Sequence, residues 1–124
     1  LAQLGQPGYD LVSLLQDARR DVSRETEAAM LRRFKAGSGK GPEFDASYAV
    51  LGAQRALRIL GIFTRLCLSA AKPGYLQYMP RVWGQLQRNL AHPVNAPLAR
   101  LCQRLLPAPT PEILAHIGTK CPCP

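Results

Sequence analysis

Acidic side chains are missing from the whole stretch between Ala46 and Pro111, although eight basic ones (Arg55, Arg58, Arg65, Lys72, Arg81, Arg88, Arg100 and Arg104) fall inside it. A polycationic ligand would be repelled there, and any anion should meet these later helices first. Aromatic residues make up only 6% of the chain and β-branched runs are nearly absent, which argues against a sheet protein. No apolar run reaches the roughly 20 residues a bilayer helix needs, because the longest, Ala56 to Ala71, is broken by Arg58 and Arg65. Leu1 to Leu4 leads into Gly5-Gln6-Pro7-Gly8 without a basic and apolar leader, so no signal peptide is expected and the expected location is cytoplasmic. Missing as well are a Ser-His-Asp set, a His-Glu-x-x-His motif, a pair of carboxylates in a pocket signature, a dinucleotide fingerprint and any fixed-period repeat. Only two histidines occur. His92 precedes a proline and His116 lies near the end, so both read as surface or capping residues.

The four cysteines, Cys67, Cys102, Cys121 and Cys123, do not form a secreted disulfide framework. Cys67 and Cys102 sit within apolar helical patterns and are expected to be buried, reduced thiols. Cys121 and Cys123 belong to a terminal Cys-Pro-Cys-Pro that lacks a second ligand pair for zinc, so residues 118–124 are expected to be a disordered tail and no metal is expected.

What is present is one domain's worth of helix. The 124 residues are 47% hydrophobic, ample for one core, and Leu, Ala and Arg recur throughout. Apolar spacing predicts a first helix over Tyr9 to Arg20, capped by Asp10, and a second from Arg24 to Ala36 with Ser23 as N-cap. Gly37-Ser38-Gly39-Lys40-Gly41-Pro42 lacks the upstream Gly and the following Ser or Thr of a phosphate loop, so residues 37–44 are expected to be a flexible linker. A long central helix, Ala46 to about Ala70 with Asp45 as cap, is apolar on most faces apart from a polar stripe of Gln54, Arg55, Arg58 and Arg65. That stripe either reaches solvent or lines a cleft. Tyr75 to Ala91 follows, with Pro80 kinking it or marking its true start, and its core side is Leu76, Met79, Val82, Trp83, Leu86 and Leu90. Ala96 to Leu106 and Pro111 to Ile117 complete an all-α, irregular bundle of five to six helices spanning residues 1–117. Tyr75 and Tyr78 could stack on a sugar or base.

Several segments carry a resemblance. Gly5-Gln6-Pro7 followed by Tyr9-Asp10-Leu11-Val12-Ser13-Leu14-Leu15-Gln16-Asp17-Ala18-Arg19-Arg20-Asp21-Val22 resembles the segment after the metal-binding motif of aminoglycoside-phosphotransferase-like kinases. Tyr48 to Arg55, Leu57 to Phe63, Lys72-Pro73 with Tyr75-Leu76, and Pro80-Arg81-Val82-Trp83 resemble the branch acting on N-acetylmuramate and N-acetylglucosamine in cell-wall recycling. The resemblance covers about Gly5 to Ile117 and implies the C-terminal helical subdomain of a protein-kinase-like fold.

It implies further that ATP and Mg²⁺ serve the full-length parent and none is held by this chain. The nucleotide lobe and the catalytic loop are expected upstream of Leu1, so the chain by itself is expected to be inactive and to have no catalytic residue. By the same resemblance Asp10 braces the backbone of the catalytic loop, and Asp17, Gln54, Arg55 and Arg58 are candidates for touching the acceptor. The basic charge favours a neutral or carboxylate-bearing amino sugar over a polycationic aminoglycoside. The expected partners are the parent's N-terminal lobe, the amino sugar and another copy of the chain through the lobe-facing surface, where Leu1 and Leu4 begin. No membrane is expected. A stand-alone basic module binding nucleic acid or protein is the alternative, with nucleic acid the less favoured.

Overall fold

The computed structural model describes residues 5–122, and among them the regular elements are all helical. Six α-helices follow one another: α1 Gly8–Leu15, α2 Arg24–Ser38, α3 Pro42–Ala70, α4 Met79–Leu90, α5 Ala96–Leu105 and α6 Pro111–Thr119. Short 3₁₀ helices at Pro73–Tyr78 and Pro93–Asn95 lead into α4 and α5. The irregular all-α bundle expected from the sequence is the one observed.

Helix α3 is the axis of the bundle. The main core gathers around its Ala53, Ala56, Phe63 and Cys67, which meet Leu76, Met79, Val82, Leu86 and Leu90 from the α4 side. A smaller cluster of Val12, Phe44 and Tyr48 lies under α1 and α2. Trp83 packs at the edge of the main core, only partly buried. Pro80 occupies the first turn of α4, where its missing N–H costs nothing, so it marks the start of that helix and does not kink it.

Three boundaries differ from the expectation. Helix α1 stops at Leu15 instead of continuing to Arg20, because the Asp17 carboxylate accepts the Arg19 backbone N–H at 2.9 Å and competes with the helical pattern. Asp10 does not cap α1; Pro7 stands at that position and Asp10 lies in the first turn. The flexible linker over 37–44 is replaced by a tight three-residue connection. Gly39 ends α2 in the left-handed region at φ 66°, Gly41 stands at the N-cap of α3, and Pro42 opens that helix. Glu43 accepts the Gly41 N–H at 3.0 Å, so Asp45 is a first-turn residue and pairs with Lys35 at 2.7 Å. Phe44, inside the expected linker, is buried against Phe34 with ring centroids 5.1 Å apart.

The cysteine expectation is corrected too. Cys67 is bonded to Cys121 across 54 residues, with Cα atoms 5.1 Å apart, while Cys102 is a free buried thiol. Helix α6 continues to Thr119 and thereby delivers Cys121 to the buried Cys67, so 118–122 is anchored chain and not a frayed tail. Cys123 and Pro124, like Leu1 and Leu4, lie outside the described residues.

Candidate functional site

A buried polar knot ties the start of the chain to the centre of the bundle. The Glu27 side chain accepts the Tyr48 hydroxyl at 2.7 Å and the Gln16 amide at 2.8 Å, and Arg88 approaches its second oxygen at 3.4 Å. Gln16 and Asn89 face each other amide to amide, with Asn89 Nδ2 donating to Gln16 Oε1 at 2.8 Å. Asn89 also donates to the Gln85 carbonyl at 2.9 Å, and Asn95 Nδ2 donates to the carbonyls of Asn89 and Ala49. Burial raises the ionisation point of the Tyr48 hydroxyl far above its ordinary range, and the adjoining Glu27 adds to the effect. The knot fixes the exit of α1 against α2, α3 and α4. Its members are polar residues that helical periodicity alone assigns to the surface, so the sequence reading missed them; the Gln16, Glu27 and Asn89 side chains are all nearly fully enclosed.

Beyond Gln16 the chain turns outward and presents Asp17. Its carboxylate takes the Arg19 backbone N–H and faces the Arg19 guanidinium at 3.4 Å, and the backbone bond first, then Arg19, hold its pKa below the ordinary value. Arg19 is exposed. Arg81 closes the other side of this turn by donating to the Ala18 carbonyl at 2.9 Å, with Asp21 4.0 Å away. A small polar shelf results from Asp17, Arg19 and Arg81 around the turn after α1. A carboxylate and two guanidiniums are groups that can hydrogen-bond a polyhydroxylated ring.

The α3 stripe divides. Gln54 and Arg58 are exposed, four residues apart on one face, and Arg65 continues it. Arg55, rotated about 100° from Gln54, is half-buried, and its Nε is enclosed without a hydrogen-bond partner. Among the described residues no hydrogen bond or ion pair joins Asp17 to Gln54, Arg55 or Arg58. Asp10 is exposed on α1.

On another side of α3 lies an apolar groove of ≈ 520 Å³, lined by Leu57, Leu60, Met79 and Trp83, by Pro107 and Pro109 of the connection to α6, and by Ile113 and Ile117 of α6 itself. Arg65 and Ser69 stand on its rim. Among the described residues no three His, Cys, Asp or Glu side chains are grouped so as to hold a metal ion, and no helix is long and apolar enough to cross a membrane.

Fold and resemblance define a helical domain whose homologues are kinases. Those homologues are N-acetylmuramate/N-acetylglucosamine kinases: one from Caulobacter vibrioides is 44% identical over 114 residues, covering 88% of this chain and 31% of the relative. A Pseudomonas aeruginosa kinase of the same name is 31% identical over 110 residues, covering 82% of the chain and 32% of the relative. One from Neisseria meningitidis serogroup B is 35% identical over 95 residues, covering 70% and 28%. The chain thus spans about a third of the length of the curated relatives it matches. No protein-family model matches it.

Proposed function

We propose that this chain is the acceptor-side helical part of an ATP-dependent amino-sugar kinase of the aminoglycoside-phosphotransferase-like family. The observation that carries the reading is the 44% identity to an N-acetylmuramate/N-acetylglucosamine kinase across 88% of the chain. Basic charge supports the acceptor class, since nothing acidic lies between Ala46 and Pro111 to attract a polycation.

In this reading ATP and Mg²⁺ belong to the remainder of the parent protein, where they supply the phosphoryl group and neutralise its charge. The described residues of this chain do not fit a metal site: Asp10, Asp17, Asp21, Glu25 and Glu27 follow one another along the chain, yet no three of them converge. No step is therefore assigned to them through the metal. What this chain contributes is position. Asp17, Arg19 and Arg81 offer hydrogen bonds to the sugar, Gln54, Arg55 and Arg58 offer further donors, and Asp10 braces the catalytic-loop backbone. Holding an acceptor hydroxyl in line for attack is a large part of phosphoryl-transfer catalysis.

The test has two parts. The gene region before Leu1 is read for an Asp-containing metal motif and a His-Gly-Asp-type loop, and the whole protein is assayed for ATP consumption with N-acetylmuramate, N-acetylglucosamine and a polycationic aminoglycoside. Phosphorylation of either amino sugar is expected; inactivity toward both, or absence of the two motifs, removes the proposal.

A further inference from the structure

The apolar groove is walled on one side by α6, and α6 is the least embedded helix of the bundle. None of its residues is fully buried, and it rests on the body through the partly buried Leu114 and Ile117 and through the Cys67–Cys121 bond just past its end. Cys67 is wholly enclosed on α3, whereas Cys121 is only partly buried, at the edge of the main core. The covalent bond joins the most deeply buried part of the core to the most weakly held element.

The geometry points to the Cys67–Cys121 pair as a thiol–disulfide modification site whose state sets whether α6 closes the apolar groove. Cys121 is the less buried partner of the bond and so the one an external thiolate reaches, the first step of exchange. With α6 in place the Cys67 sulfur lies 3.7 Å from the Ile117 carbonyl oxygen. The balance is that of ordinary exchange. Two thiols and one small-molecule disulfide give the intramolecular bond and two small-molecule thiols, with two electrons passing to the external disulfide and two protons moving with the thiols.

In the oxidised form Ile113 and Ile117 are pinned beside Leu57, Leu60 and Trp83 and the groove is closed on that side. In the reduced form α6 retains only marginal apolar contacts, and a nine-residue helix has little stability of its own. Opening is then local, confined to α6 and the Leu106–Pro109 connection, because α3 and α4 keep their shared core. This inference does not depend on the kinase reading, since it concerns only the mobility of α6 and not what the parent protein phosphorylates.

The test uses the full chain equilibrated with oxidised or reduced glutathione. Alkylation after denaturation, followed by peptide mapping, should leave Cys67 and Cys121 unmodified together in the oxidised sample and modified together in the reduced one. Hydrogen exchange of the two samples should then show α6 amide protection falling about tenfold or more on reduction while α4 stays unchanged. Cys121→Ser should reproduce the reduced pattern whatever the glutathione state. Full alkylation of both cysteines in the oxidised sample overturns the proposal, as does equal α6 protection in the two samples. Loss of protection in α4 together with α6 overturns it too, because the bond would then be a staple of the whole fold.

Discussion

Tyr48 of α3 donates its hydroxyl to the Glu27 carboxylate of α2 at 2.7 Å, and both residues are buried. A hydrogen bond to a charged group in such a setting is worth about 1.5–3 kcal/mol, and Tyr48→Phe keeps the ring while removing it. We expect Tyr48→Phe to lower unfolding stability by about that amount in urea titrations, with an unchanged m-value. The same pair gives a pH signature. The folded-state pKa of Tyr48 lies above its ordinary value of 10.0, so its contribution is fully present below pH 10 and is lost as pH rises beyond that. Wild type should therefore lose stability above pH 10 more steeply than Tyr48→Phe, approaching about 1.4 kcal/mol per pH unit for this one proton. Parallel curves for the two proteins would refute the assignment.

Glycines in one helix should behave in opposite ways. At Gly52 a Cβ would run into the Asn89 side-chain amide, whose hydrogen bonds to the Gln16 amide and the Gln85 carbonyl leave it no room to retreat. Overpacking of this kind costs about 1–3 kcal/mol, so Gly52→Ala should destabilise by that much. A Cβ added at Gly61 would meet nothing within 4 Å, and the residue lies exposed on α3. Gly61→Ala should therefore stabilise by about 0.5–1 kcal/mol through reduced backbone freedom of the unfolded chain. Thermal melts of the two variants against wild type decide this.

The Cys67–Cys121 bond closes a loop of 54 residues, for which the chain-entropy treatment gives about 4 kcal/mol of stabilisation. Because α6 opens locally once the bond is reduced, oxidised wild type should exceed Cys121→Ser in global unfolding by well under that amount, and the difference should vanish when both are measured in reductant. Peptide mapping of denatured, unreduced protein should find Cys102 as a free thiol and Cys67 and Cys121 blocked.

Which parts of this were legible in the sequence follows from the range of the interactions. The helices with strong periodicity were, including α3 with its nearly continuous apolar surface and the buried side of α4, because local spacing determines which face is apolar. The 37–44 segment was misread because its glycines looked like flexibility, while Gly39, Gly41 and Pro42 in fact supply a C-terminal stop, an N-cap position and a first-turn proline in succession. Gln16, Glu27 and Asn89 were not legible because a buried polar group is recognised only by partners as far as 73 residues away. The Cys67–Cys121 pairing was equally hidden, as it depends on where α6 ends relative to α3. Of the candidate acceptor-site residues, Asp17 and the α3 stripe were proposed from resemblance and helical phase; Arg19 and Arg81 joined them only when the turn after α1 was seen to close on α4.

Arg55 and Arg58 separate the structural and functional roles of the α3 stripe. Arg58 is exposed, so Arg58→Ala should change stability by no more than about 0.5 kcal/mol. Arg55 has its Nε enclosed without a partner, a desolvation cost in the domain as described, so Arg55→Leu, which keeps the apolar stem and removes the orphaned donor, should leave stability unchanged or raise it. Under the proposed acceptor role the kinetic result runs the other way. In the whole kinase, each of Arg55→Leu and Arg58→Ala should lower kcat/KM for the amino sugar by about tenfold or more, equivalent to about 1.4 kcal/mol of lost transition-state stabilisation, while KM for ATP stays constant. An Arg55 variant that is as stable as wild type and less active would mean that its unpaired donor is kept for the ligand. Unaltered kinetics in both variants, with melts confirming that both are folded, would remove these two residues from the acceptor site and leave Asp17, Arg19 and Arg81 as its remaining candidates.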